Sequence, residues 1–220
     1  MAKAGVMWHM NIREKREIVS AYCCEVRLLG IRLLGMISLS LGPQFFEDYI
    51  ENALGEQEQH MALAVNYYPQ CPEPDLTYDL PKYTDPNALT ILLQDPNVAG
   101  LQVLKGSGGG EDQWIAVSPR PNALVINLGD QLQALSNGAY KSVWHRAVVN
   151  DAQERMSVAS FLCPCNSAVI SPAVALVVRD GDAPVYRSYT YDEYYNKFWS
   201  RSLDDQEHCL DLFRSTQPGQ

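Results

Sequence analysis

The chain is short of histidine, of positive charge and of long apolar runs. Its 220 residues include four histidines, so a metal site built on imidazole has few donors to draw on. Lys and Arg total 17 against 26 Asp and Glu, a formal net charge of -9 at pH 7. The cations are scattered and no basic patch outweighs that excess, which argues against nucleic acid as a partner; the acidity reads as a solubility device. The longest apolar stretch, Leu28 to Leu41, is too short for a bilayer and carries Arg32, so a buried helix face is expected and no membrane. No secretory signal opens the chain, which predicts a reducing, cytoplasmic setting and six free cysteines. Cys163-Pro164-Cys165 lacks the spacer and second ligand pair of a zinc knuckle and is expected to follow the end of a strand. The Gly106 to Gly110 stretch is followed by neither Lys-Ser/Thr nor a helix, so it reads as a hairpin tip and not a phosphate loop. No internal repeat is present.

What is there describes an ordinary globular domain, 46% hydrophobic and 20% charged, with enough residues for a sizeable core. Ile18, Val19, Tyr22, Val26, Leu29, Leu33, Leu34, Ile37 and Leu41 recur at helical spacing. They predict one long helix from about Ile12 to Leu41, ended by Gly42-Pro43. A shorter helix is predicted over Phe45 to Leu54, stopping at Gly55. After Met61 the texture changes to short runs rich in Val, Ile, Leu and Tyr between Pro, Gly, Asn and Asp. These are Leu63–Tyr68, Leu89–Leu93, Leu101–Leu104, Trp114–Val117, Ala123–Asn127, Ser142–Val149 and Ser157–Cys163. Many short strands with turn signals between them predict a mainly β antiparallel sandwich or barrel with flanking helices. Helical spacing returns over Tyr191 to Leu203 and Asp204 to Arg214, whose aromatic residues are expected to pack against the outside of the barrel. The expected organisation is a helical segment over 1–60, a β domain over 61–170 and a C-terminal extension over 171–220.

The candidate chemistry centres on Asp85, His145 and Arg155-x-Ser157. Non-haem Fe(II) oxygenases hold iron with two histidines and one carboxylate on one face, leaving positions open. Residues two apart on a strand share a face, and position 83 has that relation to Asp85. Here that position is a tyrosine, Tyr83. His145 is the remaining imidazole with a strand context: His9 lies in the irregular start, His60 is expected to cap a helix end and His208 to sit on the terminal helix. A co-substrate with a distal carboxylate needs a buried partner. The Arg155 guanidinium can pair with it in a bidentate fork, and Ser157 adds a hydroxyl on the same strand face, with Met156 pointing the other way. Tyr68 offers a further phenolic donor.

Five strings together resemble the plant 2-oxoglutarate- and Fe(II)-dependent dioxygenases: Asn66-Tyr67-Tyr68-Pro69-Gln70-Cys71-Pro72, Thr84-Asp85-Pro86-Asn87-Ala88-Leu89-Thr90, Ile126-Asn127-Leu128-Gly129-Asp130, Lys141 through Val148, and Arg155-Met156-Ser157-Val158-Ala159-Ser160-Phe161. The resemblance runs from about residue 14 to 214. Tyr191-Asp192-Glu193-Tyr194-Tyr195 and Phe198-Trp199-Ser200-Arg201 resemble the branch containing salicylate hydroxylases and flavanone-oxidising enzymes.

The resemblance implies a double-stranded β-helix (jelly-roll) core with a long N-terminal helix and C-terminal helices. It implies Asp85 and His145 as iron ligands, with Arg155, Ser157, Tyr68 and Asn66 holding 2-oxoglutarate and Phe161 facing an organic substrate or filling the core. Fe(II), 2-oxoglutarate and ascorbate as reductant are the implied cofactors; dioxygen and a small aromatic metabolite are the implied partners.

Two departures qualify these expectations. Tyr83 stands at the family's first histidine, and a phenolate favours Fe(III) over the Fe(II) that starts the reaction, so impaired turnover is expected. The alternative is a catalytically inactive relative that binds a metabolite or partner chain. The second departure is that Met1 stands almost directly before the long helix, where family members carry a further region. A monomer is expected, with association through an exposed edge or apolar patch as the competing outcome.

Overall fold

The computed structural model describes residues 12–55, 59–74, 82–106, 113–181, 183–202 and 207–215, with side chains from residue 16 onward. The Gly106–Gly110 tip and part of the second predicted C-terminal helix lie largely outside these residues.

Helix α1 (Ile12–Ser40) follows the apolar periodicity. Val26, Leu34 and Leu41 are buried, and Tyr22, Leu29, Leu33 and Ile37 pack beside them. The first turns depart from expectation, since Ile18 and Val19 are exposed. Helix α2 (Tyr49–Ala53) is shorter than the predicted one and ends before Gly55, whose φ of 96° favours glycine. Ser38 joins the two helices: its hydroxyl donates to Leu34 O at 2.9 Å and accepts from Ile50 N at 3.1 Å.

The strands are β1 (His60–Tyr68), β2 (Leu89–Gln94), β3 (Leu101–Lys105), β4 (Gln113–Ala116), β5 (Val125–Leu128), β6 (His145–Ala147), β7 (Arg155–Cys163), β8 (Val169–Ile170) and β9 (Tyr189–Thr190). His60 therefore opens a strand and does not cap a helix. The hydrogen-bonded order is β1-β7-β2-β5 in the major sheet and β4-β3-β6 in the minor one, with β8 and β9 paired separately. All these pairings are antiparallel. This is the mainly β, jelly-roll type of core with helices around it. Strand β7 ends at Cys163, and all six cysteines carry free thiols.

Period-two alternation sorts the major sheet into two faces. Leu89, Ile91 and Leu162 point outward and lie in the main core with α1 residues. Further along the same face Val65, Tyr67, Leu93 and Met156 are exposed. The inner face carries Asn66, Tyr68, Thr90, Arg155, Ser157 and Phe161.

Helix α3 (Asp130–Leu135) and helix α4 (Val174–Asp180) carry no strong sequence signal and were not anticipated. Helix α5 (Tyr191–Trp199) begins with Thr190, whose hydroxyl accepts from Glu193 N at 3.2 Å, half of a capping box. The last predicted helix is a 3-10 turn over Cys209–Phe213, with His208 as its N-cap. Tyr194, Leu210 and Phe213 are buried against the barrel, whereas Trp199 is exposed. Among the described residues no helix is long and apolar enough to cross a membrane.

Candidate functional site: a metal and co-substrate pocket between two sheets

Strand register builds the pocket. Tyr68 lies opposite Arg155, Asn66 opposite Ser157, and Ser157 opposite Gln94 on β2. Thr90 pairs with Phe161 on one side and Asn127 on the other. From the minor sheet come Leu101, His145 and Ala147, closing a cavity lined by all of the predicted site residues.

The metal end is set by a loop, where a continuous strand was expected. Tyr83 forms an isolated bridge with His145, each residue's backbone N donating to the other's carbonyl at 3.0 Å. Asp85 lies two residues on, in irregular chain. Its place is fixed by α3, whose first amides point at the loop: Gly129 N donates to Ala88 O at 2.8 Å and Asp130 N to Asp85 O at 2.9 Å. Gly129 is required there, because a Cβ would lie 2.0 Å from Asn87 O. The Asp85 side chain is then oriented by Thr90, which donates to Oδ2 at 2.7 Å, while Asn87 Nδ2 donates to Thr90 Oγ1 at 3.0 Å.

These contacts leave Asp85 Oδ1 3.6 Å from His145 Nε2, both side chains being buried. Donors that each lie about 2.0–2.2 Å from a divalent ion are at most roughly 4 Å apart, so the pair is close enough to share one. His145 Nδ1 lies 2.9 Å from Val143 O. Donation to that carbonyl puts the proton on Nδ1 and leaves the Nε2 lone pair facing Asp85, the usual outer support of a ligating imidazole. Burial alone would lower the His145 pKa, but the neighbouring Asp85 carboxylate outweighs it and the net shift is upward.

Tyr83 completes this end without supplying an imidazole. Its ring packs on the His145 ring with centroids 4.3 Å apart. Burial, reinforced by the Asp85 charge, holds its phenol far above the ordinary range, so it is neutral near pH 7. Among the described residues no third His, Cys, Asp or Glu joins the pair. The residues present thus fit a metal at two protein positions.

At the other end Arg155 is 2% exposed, and its Nε has no hydrogen-bond partner among the described residues. A buried guanidinium nitrogen without a partner is costly, and an anion beside it removes the cost. The guanidinium carbon lies 5.0 Å from the centre of the Tyr68 ring, a cation–π contact inside the cavity. Gly100 leaves room for it, since a Cβ there would approach Arg155 Cδ to 2.6 Å and Nε to 2.8 Å. Ser157 is buried beside it, and Met156 is exposed on the opposite face.

The pocket also contains residues that sequence reasoning passed over. Thr90, Asn127 and Gly129 lay within strings already singled out, yet only the folded register shows what they touch. Gly100 gave no signal beyond being a glycine before a strand.

The 2OG-Fe(II) oxygenase superfamily pattern matches residues 59–164. Among curated proteins, the chain is similar to Flavanone 3-dioxygenase 2 of Oryza sativa subsp. japonica, 65% identical over 94% of this chain and 58% of that protein. Protein DOWNY MILDEW RESISTANCE 6 of Arabidopsis thaliana is 60% identical over the same shares. The chain thus spans well under two thirds of the length of these relatives. Among solved structures, JOX2 in complex with 2OG, Fe and JA superposes with a TM-score of 0.82 at 38% identity, over 95% of this chain and 59% of that one. The dioxygenase for auxin oxidation in rice gives a TM-score of 0.72 at 28% identity, over 91% and 64%. The pattern match, these relatives and the pocket between the two sheets agree, and the chain belongs to the 2OG-Fe(II) oxygenase superfamily.

Proposed function

We propose that the chain is a 2-oxoglutarate- and Fe(II)-dependent oxygenase that hydroxylates or oxidises a small aromatic metabolite of salicylate or flavonoid type, with turnover weakened by Tyr83. The observation that carries this reading is the 3.6 Å approach of Asp85 Oδ1 to His145 Nε2 in the same cavity as the buried Arg155, whose Nε has no hydrogen-bond partner among the described residues. When bound, iron and 2-oxoglutarate would supply the electrons that activate dioxygen, whose oxidising power then falls on the organic substrate.

The protein's own part is holding and orienting. Asp85 and His145 are the two metal ligands. Thr90 occupies Asp85 Oδ2 and so turns Oδ1 inward, and Val143 O fixes the imidazole tautomer. Arg155 pairs with the distal carboxylate of 2-oxoglutarate, with Ser157 and Tyr68 as hydroxyl donors and Asn66 beside them. Leu92, Leu101, Ala159 and Phe161 form the apolar part of the lining. They exclude water and give an aromatic ring a surface to lie on, Phe161 being the residue in contact with it. The flavonoid and salicylate classes follow from the flavanone-oxidising relative and from the C-terminal strings.

A second reading has its own observation: the neutral Tyr83 phenol packed on His145 in place of an imidazole. It makes the protein a non-catalytic binder of the same ligands. Succinate release from 2-oxoglutarate by the purified chain with Fe(II) and ascorbate decides between them. Release that rises in Tyr83→His supports an oxygenase weakened at one ligand. Silence in both chains, with 2-oxoglutarate still bound, favours the binder.

A further inference from the structure

Behind the pocket lies a second polar cluster that the proposed chemistry does not use. Asp130 is fully buried. Its Oδ2 accepts hydrogen bonds from Thr84 Oγ1 at 3.1 Å and from Tyr194 OH. Its Oδ1 faces His208 Nε2 at 3.5 Å. The tautomer of His208 is set by Nδ1, which accepts from Leu210 N at 3.2 Å, so Nε2 carries the proton; it faces Oδ1 as an ion-pair contact, with no hydrogen bond formed between the two among the described residues. The edge of Trp144 packs on the His208 ring, with centroids 5.5 Å apart.

The placement of these contacts is informative. Thr84 directly precedes Asp85, and Trp144 directly precedes His145. Asp130 and His208 therefore each hold the residue before one of the two donors, Asp130 by a hydrogen bond and His208 by ring packing. Asp130 adds its backbone amide to Asp85 O. Stability alone does not require a buried carboxylate here, since apolar side chains of similar volume commonly serve as well. A carboxylate held at Oδ2 by two hydroxyls does, however, set an angle and a distance, which a metal site needs and a core does not.

We propose that Asp130 and His208 are positioning residues for the metal site, and that through them the C-terminal 3-10 turn fixes the spacing of Asp85 and His145. The inference rests on the reading of Asp85 and His145 as metal ligands. It adds that a segment outside the barrel, more than sixty residues downstream of the second ligand, governs metal affinity.

The test is Co(II) titration of the full chain, followed by its visible d–d absorption, in wild type and in Tyr83→His. Each background also receives His208→Phe, His208→Gln or Asp130→Asn. His208→Phe keeps a ring against Trp144 but removes the N–H. His208→Gln restores an N–H near the Nε2 position. Leu176→Ala, a buried core truncation on α4, serves as the stability control.

Positioning predicts a Co(II) Kd weakened roughly tenfold in His208→Phe and Asp130→Asn, with displaced absorption bands. It also predicts recovery of both readouts in His208→Gln and an unchanged spectrum in Leu176→Ala. Unchanged Kd and bands in His208→Phe and Asp130→Asn overturn the positioning role while leaving the metal site standing. Equal weakening by Leu176→Ala at a matched loss of Tm also overturns it, by reducing the effect to stability. A chain that binds no Co(II) with either Tyr83 or His at position 83 overturns the metal site itself.

Discussion

The two ends of the pocket are built to different degrees of completion. At the Arg155 end the cation is buried, laid on Tyr68 and given room by Gly100, and its Nε is unpaired. At the other end the supports are equally detailed, with Thr90 and Asn87 behind Asp85, Val143 behind His145 and α3 clamping the loop. Yet a phenol stands where a further imidazole would complete the ligand set. The supports of a metal site and one of its donors are thus separable features of the fold.

Four substitutions break or sharpen that contrast. The largest effect is expected from Arg155→Leu, which leaves a carboxylate without its buried partner. Its cost in 2-oxoglutarate binding should be about 2–5 kcal/mol by calorimetry, with metal affinity much less affected. A variant that binds 2-oxoglutarate as the wild type does would remove the complete end of the comparison. Next comes Tyr83→His, which should tighten Co(II) or Mn(II) binding by on the order of 100-fold, at least the scale set by outer-shell partners. No gain in that titration would mean the incomplete end lacks more than one donor. Thr90→Val keeps the shape of the side chain and deletes the hydrogen bond to Asp85 Oδ2; metal binding should weaken about tenfold while 2-oxoglutarate affinity of the metal-free chain stays constant. Smallest is Gly100→Ala, whose added methyl pushes on Arg155 and should cost about 1 kcal/mol of 2-oxoglutarate binding, with metal titration unchanged.

Much of this architecture was legible beforehand because its signals are local. Helix α1 announced itself through apolar periodicity, β7 through alternation, and Arg155 with Ser157 through their shared parity on one strand. Other features depend on distant chain segments. Helix α3 is six residues long and buried throughout, so it has no polar face to give it a helical period. Asp85 was expected on a strand, but its position comes from Asp130 N donating to its carbonyl and Gly129 N to that of Ala88, which no spacing rule near residue 85 encodes. The second predicted C-terminal helix begins as an Asp-rich segment and settles into a single 3-10 turn. His208 read as one more helical residue, and its role depends on Asp130 lying beside it. Gly100 matters only because Arg155, from another sheet, needs the space.

The paired main-chain bonds between Tyr83 and His145 have one more consequence. Backbone atoms make them, so any residue at position 83 that tolerates an extended conformation keeps the register of the neighbouring strands. The side chain beside His145 can therefore change at that position, Tyr83→His included, while both main-chain bonds stay in place.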